Sequence, residues 1–193
     1  DIEEYEALLN KANSCEIDVV SELLEECESF ERKVLSSDIE KEYRMAAIQH
    51  YFLNSERYSG TMISFNNLLD IQLFNKAITE FVNEQGLFRA DVVRHGNKLF
   101  FRQREEVREL EVPFADLSMY LREVQFSVVN DICQNIYFKE YAQIRDLYGE
   151  SQNAEFEGLL YRMLLIKIAE NEYYLILPVN HAIFDAMSGE VVK

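Results

Sequence analysis

The sequence predicts an α+β domain, a mixed sheet flanked by helices, and three features carry that expectation. Gly96-Asn97 sits between two alternating runs, residues 88–95 and 98–104, the pattern of a β-hairpin closed by a two-residue turn. Residues 159–168 and 173–179 are two nearly unbroken apolar runs of strand length, which implies strands covered on both faces. Residues 70–84 place Ile71, Phe74, Ala77, Ile78 and Phe81 on one helical face, with Asp70 as the N-cap.

Taken in order, residues 1–42 are helical by pattern. Ile2, Tyr5, Leu9 and Ala12 form one stripe. Asn13-Ser14 reads as a break, and Val20, Leu23, Leu24, Cys27, Phe30 and Val34 form a second stripe. The expectation is an acidic helical hairpin, closed by Ser36-Ser37-Asp38 and serving as a linker or docking segment. From residue 43 the texture is mixed. Residues 45–53 read as a short helix or extended anchor and residues 61–66 as a strand. Residues 107–112 read as a further strand and residues 119–141 as a long helix rich in aromatics. Residues 151–157 read as a polar loop, and a new helix is expected from Met187.

Composition narrows the function classes. The chain has 193 residues, 48% of them hydrophobic, with 13 Phe and 11 Tyr, which supports a packed core and excludes a disordered chain. The net charge of −16 argues against a nucleic-acid surface and against docking on anionic lipid. Charge is uneven: residues 1–42 hold 14 acids against 4 bases. No apolar run approaches the ~20 residues that a membrane span requires; residues 159–169 come nearest and are cut by Arg162 and Lys167. Cys15, Cys27 and Cys133 form no C-x-x-C pair and are odd in number, so free thiols in a reducing cytoplasm are expected. Both ends read as cut, so the chain is expected to be a piece of a longer protein.

Phosphate-loop, dinucleotide, metalloprotease and serine-hydrolase motifs are all missing, and the three histidines show no metal-ligand spacing. His181 stands out by position. It follows the buried run Leu175-Ile176-Leu177-Pro178-Val179 and opens the loop Asn180-His181-Ala182-Ile183-Phe184-Asp185-Ala186-Met187-Ser188. A histidine just past a central strand is placed for an active-site tunnel, and its intrinsic pKa suits proton transfer near neutrality. Asp185 stands four residues on. His50 reads as structural, His95 as a solvated hairpin tip, and Phe126, Tyr137, Phe138 and Tyr141 as core or packing aromatics.

The segment 180–188 resembles the H-H-x-x-x-D-G-x-S motif of nonribosomal peptide synthetase condensation domains and, more broadly, the H-x-x-x-D motif of the chloramphenicol-acetyltransferase-like superfamily. Two earlier segments agree in order. Ala47-Ile48-Gln49-His50-Tyr51-Phe52-Leu53 resembles the family's opening segment, and Glu84-Gln85-Gly86-Leu87-Phe88-Arg89-Ala90-Asp91-Val92 resembles its R-H-E-x-L-R-T-x-F segment. The resemblance covers residues 43–193 and corresponds to the N-terminal lobe of a two-lobed domain whose C-terminal lobe is absent from this chain. Asn180 replaces the first histidine of the pair and Ala186 replaces the glycine.

What the resemblance implies is an acyltransferase acting between carrier proteins. No cofactor binds directly; the substrates ride on phosphopantetheine arms of peptidyl or acyl carrier domains within neighbouring synthetase modules. His181 matches the family's catalytic histidine, supported by Asp185, Arg89 and Asn180, with Asp185 paired to Arg89 in a buried salt bridge. The reaction implied is amide formation in a condensation domain. An epimerisation-type domain, a non-catalytic docking or assembly lobe, and a free-standing acyltransferase using coenzyme A are the alternatives. The lobe alone is expected to be inactive.

Overall fold

The structure is a computed structural model and describes residues 2–54, 58–138, 144, 147–148 and 154–184. Helix α1 (Ile2–Leu35) is one continuous helix, with no break at Asn13-Ser14. This corrects the expected hairpin. Asn and Ser cost only about 0.5–0.7 kcal/mol each inside a helix, which good formers on either side offset, whereas Gly or Pro would have been needed to stop it. Its stripe Val20, Leu23, Cys27, Phe30 and Val34 is buried. The first three residues pack in one core and the last two in another, so a single helix bridges both.

The strand β1 (Ile39–Arg44) follows, then α2 (Ala47–Asn54), β2 (Tyr58–Phe65) and α3 (Ile71–Glu84). The boundary drawn at residue 42 therefore falls inside a strand. Asp70 caps α3, its Oδ1 accepting the Leu73 N–H at 3.0 Å. A 3-10 turn (Gly86–Arg89) leads into the hairpin β3 (Ala90–His95) and β4 (Lys98–Arg104). Their register runs from His95↔Lys98 to Ala90↔Gln103, with Gly96 at φ 62, as the two-residue turn requires.

Beyond β4, residues 107–112 form no strand. Val107, Leu110 and Val112 are buried, but the partners of this segment are side chains of a helix. Asn83 Oδ1 accepts the Val107 N–H at 3.0 Å, Thr79 Oγ1 that of Leu110 at 2.9 Å, and Asn75 Oδ1 that of Val112 at 3.1 Å. Residues at every fourth position of α3 share one face, so three polar side chains do the work of a neighbouring strand.

The chain closes with β5 (Phe114–Asp116), α4 (Arg122–Phe138), β6 (Glu155–Phe156), β7 (Leu164–Ala169) and β8 (Glu172–Asn180). The polar loop expected at 151–157 thus contains a short strand, β6, which pairs with β3. Two four-stranded sheets result, in the orders β1-β4-β3-β6 and β2-β8-β7-β5. The second sheet is covered twice. Leu165, Leu175, Leu177 and Val179 pack with α3 and the 107–112 segment, while Leu164, Ile166 and Ile176 pack with α1 and α4. The first sheet lays Val92, Leu99 and Phe101 against Leu53 of α2.

Of the expected aromatic stripe, Phe126 is exposed, not core, with Arg122 over its ring. The other three side chains, and the helix expected from Met187, lie outside the described residues. Cys27 and Cys133 are free thiols. Among the described residues no helix is long and apolar enough to cross a membrane.

Thr79→Val should destabilise the fold by about 1–3 kcal/mol, because it orphans the buried Leu110 N–H; Thr79→Ser should restore most of that, and urea unfolding of both variants checks it. A pH effect follows from Tyr148, which packs edge-on against His50 and donates its hydroxyl to the His50 carbonyl at 3.3 Å. Burial pushes its phenol up to about 12. The folded state thus favours the neutral form, and its contribution is intact below the ordinary tyrosine value of about 10 and lost as pH climbs toward 12. Ultraviolet difference titration of the wild type against Tyr148→Phe should show one tyrosine ionising late.

Candidate functional site

His181 stands one residue beyond β8, and the end of that strand is tied down on every side. Asn180 is fully buried. Its N–H donates to the Leu160 carbonyl at 2.7 Å, and its own carbonyl accepts the Ile183 N–H at 3.1 Å. Its side-chain Oδ1 accepts the Ala182 N–H at 2.8 Å, an Asx-type turn. The loop is then anchored twice. Ala182 is buried in the core under the first sheet, and Phe184 in the core over the second. Asn180 Nδ2 is buried with no hydrogen-bond acceptor among the described residues.

The His181 imidazole is held from two directions. Nδ1 lies 3.1 Å from the Phe184 carbonyl oxygen. A carbonyl only accepts, so Nδ1 carries the hydrogen, and in the neutral ring Nε2 keeps the lone pair. Phe52 of α2 lies against the ring, centroids 5.4 Å apart and tilted by 35°. Ile48, Gln49 and Phe52 from α2, Leu87 from the 3-10 turn and His181 line an open cavity of about 410 Å³. A basic nitrogen on a fixed ring beside such a cavity can accept a proton and, once protonated, donate a hydrogen bond to a developing negative charge.

Arg89 is 3% exposed and belongs to the frame of the site. Its Nη1 donates to the Val82 carbonyl at 3.0 Å and also to that of Asn83, while Nε donates to the Arg104 carbonyl at 3.2 Å. Nη2 faces Glu40 Oε2 at 3.5 Å. The guanidinium thus ties the C-terminus of α3 to β4 and β1, where helix carbonyls are otherwise unpaired. Asp185 and Ala186 lie outside the described residues, and so does the expected Arg89–Asp185 pair. The structure brings His181 and Asn180 together in one turn.

Sequence reasoning missed two groups. Phe52 was read as part of an opening segment, with no sign that it meets His181 from far along the chain. The second is a buried ion cluster: Asp91, with no exposed surface, takes Arg102 through Nε and Nη2, both at 2.9 Å, and Arg104 Nη2 at 2.5 Å. That cluster was legible, since the Gly96-Asn97 turn puts Asp91 directly across from Arg102.

The chain matches no family model and no curated protein. It is similar to solved structures with TM-scores above one half. The starter condensation domain of rhizomide synthetase RzmA superposes with TM-score 0.59 at 14% identity, over 79% of this chain and 36% of that one. The tallysomycin biosynthesis protein TlmII gives 0.56 at 16%, over 79% and 35%. The EpoB nonribosomal peptide synthetase cyclization-docking bidomain from Sorangium cellulosum gives 0.53 at 13%, over 78% and 29%. The chain spans about a third of the length of each. Over that part it shares the fold of these structures, the chloramphenicol-acetyltransferase-like fold that its motifs resemble.

The neutral His181 ring should be the Nδ1–H tautomer. Long-range proton–nitrogen correlation spectra of labelled protein above the imidazole pKa check this, and a protonated Nε2 with a bare Nδ1 would contradict it.

Proposed function

We propose that this chain is one lobe of a condensation-type acyltransferase, which joins an amine to a carrier-bound thioester in a tunnel completed by a second lobe. The observation that carries the reading is the fixed His181 ring beside an open cavity, at the end of a doubly covered strand, in a condensation-domain fold. Carrier domains bearing phosphopantetheine arms within a synthetase are the partners that this fold suggests.

In this reading the amine nitrogen attacks the thioester carbonyl, a C–N bond forms, the C–S bond breaks, and the thiol leaves with a proton. His181 Nε2 takes the proton released by the attacking nitrogen and, once protonated, can hydrogen-bond the tetrahedral oxyanion. Most of the rate enhancement comes from holding the two reacting groups together, which is why the lobe alone is expected to be inert. Asp185 braces the loop. One Nη2 hydrogen of Arg89 remains for it once the four contacts described above are made. Asn180, in the place of the first histidine of the family's pair, holds the turn through the Ala182 N–H.

That same replacement supports a second reading, a non-catalytic docking lobe with a decayed motif. The two part on one variant. With the second lobe and loaded carriers present, His181→Ala should slow amide formation by about 10²–10⁴-fold while carrier binding is unchanged. Undiminished product formation would remove the catalytic role and leave the docking reading.

A further inference from the structure

We propose a second binding site on this lobe, a cationic groove on the far side of α2 from His181 that takes the phosphoryl group of a small anion. The groove has a volume of about 500 Å³ and is lined by Arg44, Ala46, Ala47, His50, Asn97 and Lys98, among others. A hollow of about 220 Å³ adjoins it, sharing His50 and Asn97 and adding Arg94 and Tyr148. Among the described residues no carboxylate lines either one, although the chain carries 35 acids against 19 bases.

Several cations elsewhere are committed to carboxylates, whereas the two that line the groove are not. Lys41, Arg89, Arg102, Arg104 and Lys167 are all paired with carboxylates. Arg44 and Lys98 form no ion pair among the described residues. Glu42 lies two residues before Arg44 and is instead drawn to His95 at 3.3 Å.

Backbone donors add to this charge. The Ala46 carbonyl accepts the first intrahelical bond of α2, from the His50 N–H at 3.0 Å, so Ala46 is the N-cap. It has no side-chain oxygen to cap the helix, and no acid stands in the first turn. The first N–H groups of the helix have no acceptor within it, and they carry the positive end of its dipole. Gln49 Oε1 turns back to the Ala46 N–H at 3.0 Å, and Ala47, the next residue, lines the groove. Two cations, an imidazole, a carboxamide and the Ala47 backbone thus meet around one groove. A phosphoryl group has up to two charges and three acceptor oxygens to satisfy donors from several directions, whereas a carboxylate offers one charge and two oxygens in a plane.

The proposal does not depend on the acyl-transfer reading, because its readout is binding alone. Amide spectra of the whole chain are titrated at constant ionic strength with inorganic phosphate, pyrophosphate and glycerol 3-phosphate. Saturable shifts at Ala47, His50 and Asn97, with the dissociation constant raised about tenfold or more in Arg44→Gln/Lys98→Gln and unchanged in Lys76→Gln, are expected. The β1–β4 amide pattern of the double variant shows whether the fold persists; should it not, each single variant is titrated separately. Stronger binding of glycerol 3-phosphate than of inorganic phosphate supports an ester as the ligand, and equal binding supports the ion itself. Non-saturating shifts spread over the lysines of the chain, or equal affinity in the groove variants, overturn the site.

Discussion

Strand β8 must be covered on both faces, because nearly every residue from Tyr173 to Val179 is apolar, and the location of the candidate site follows from that constraint. Such a strand gains nothing in polarity from one register over another, since both of its faces are oily. Its register is fixed at the ends instead. The tight turn sets Ala169 opposite Glu172, and at the other end Asn180 is captured by the Leu160 carbonyl. His181 leaves the sheet one residue after its last anchored position. With Ala182 and Phe184 sunk into separate cores, the loop has little freedom to place the imidazole elsewhere.

Charge plays the corresponding part in the first sheet. Asp91, Arg102 and Arg104 share one face of the β3–β4 hairpin, while Val92, Leu99 and Phe101 occupy the other. Burying ions is costly, and such clusters are weak evidence for stability. Their effect here is on specificity. A slip of one residue would put Asp91 and Arg102 on opposite faces and drive one of them, unpaired, into the apolar core, so the wrong pairing is penalised far more than the right one is rewarded. Arg89 extends the same logic by fastening α3 to this hairpin through backbone carbonyls.

The elements legible in the sequence were those whose cause is local. The Asp70 cap, the Gly96-Asn97 turn and the apolar runs of β7 and β8 each sit within a few residues of what they determine. Residues 107–112 were misread because their apolar residues record burial correctly but carry no sign of what pairs with the backbone; Asn75, Thr79 and Asn83 supply that from another element. The break in α1 was misread because two weak helix formers were given the force of a glycine. At the site, His181 and Asn180 were legible because they end a strand that could be recognised. Phe52 and the Phe184 carbonyl were not, since what they do depends on how distant segments meet.

That meeting point is α2, an eight-residue helix with different neighbours on its two sides. Ile48, Gln49 and Phe52 face the cavity of His181, while Ala47 and His50 face the cationic groove. Leu53 is fully buried and anchors the helix from below, and Tyr148 holds the His50 end. A helix this short has almost no stability of its own, so its position is set by those contacts. The ring contact between Phe52 and His181 makes the imidazole depend on the same contacts. The groove and the cavity are therefore not independent features of the surface but two sides of one small element that tertiary packing alone holds in place.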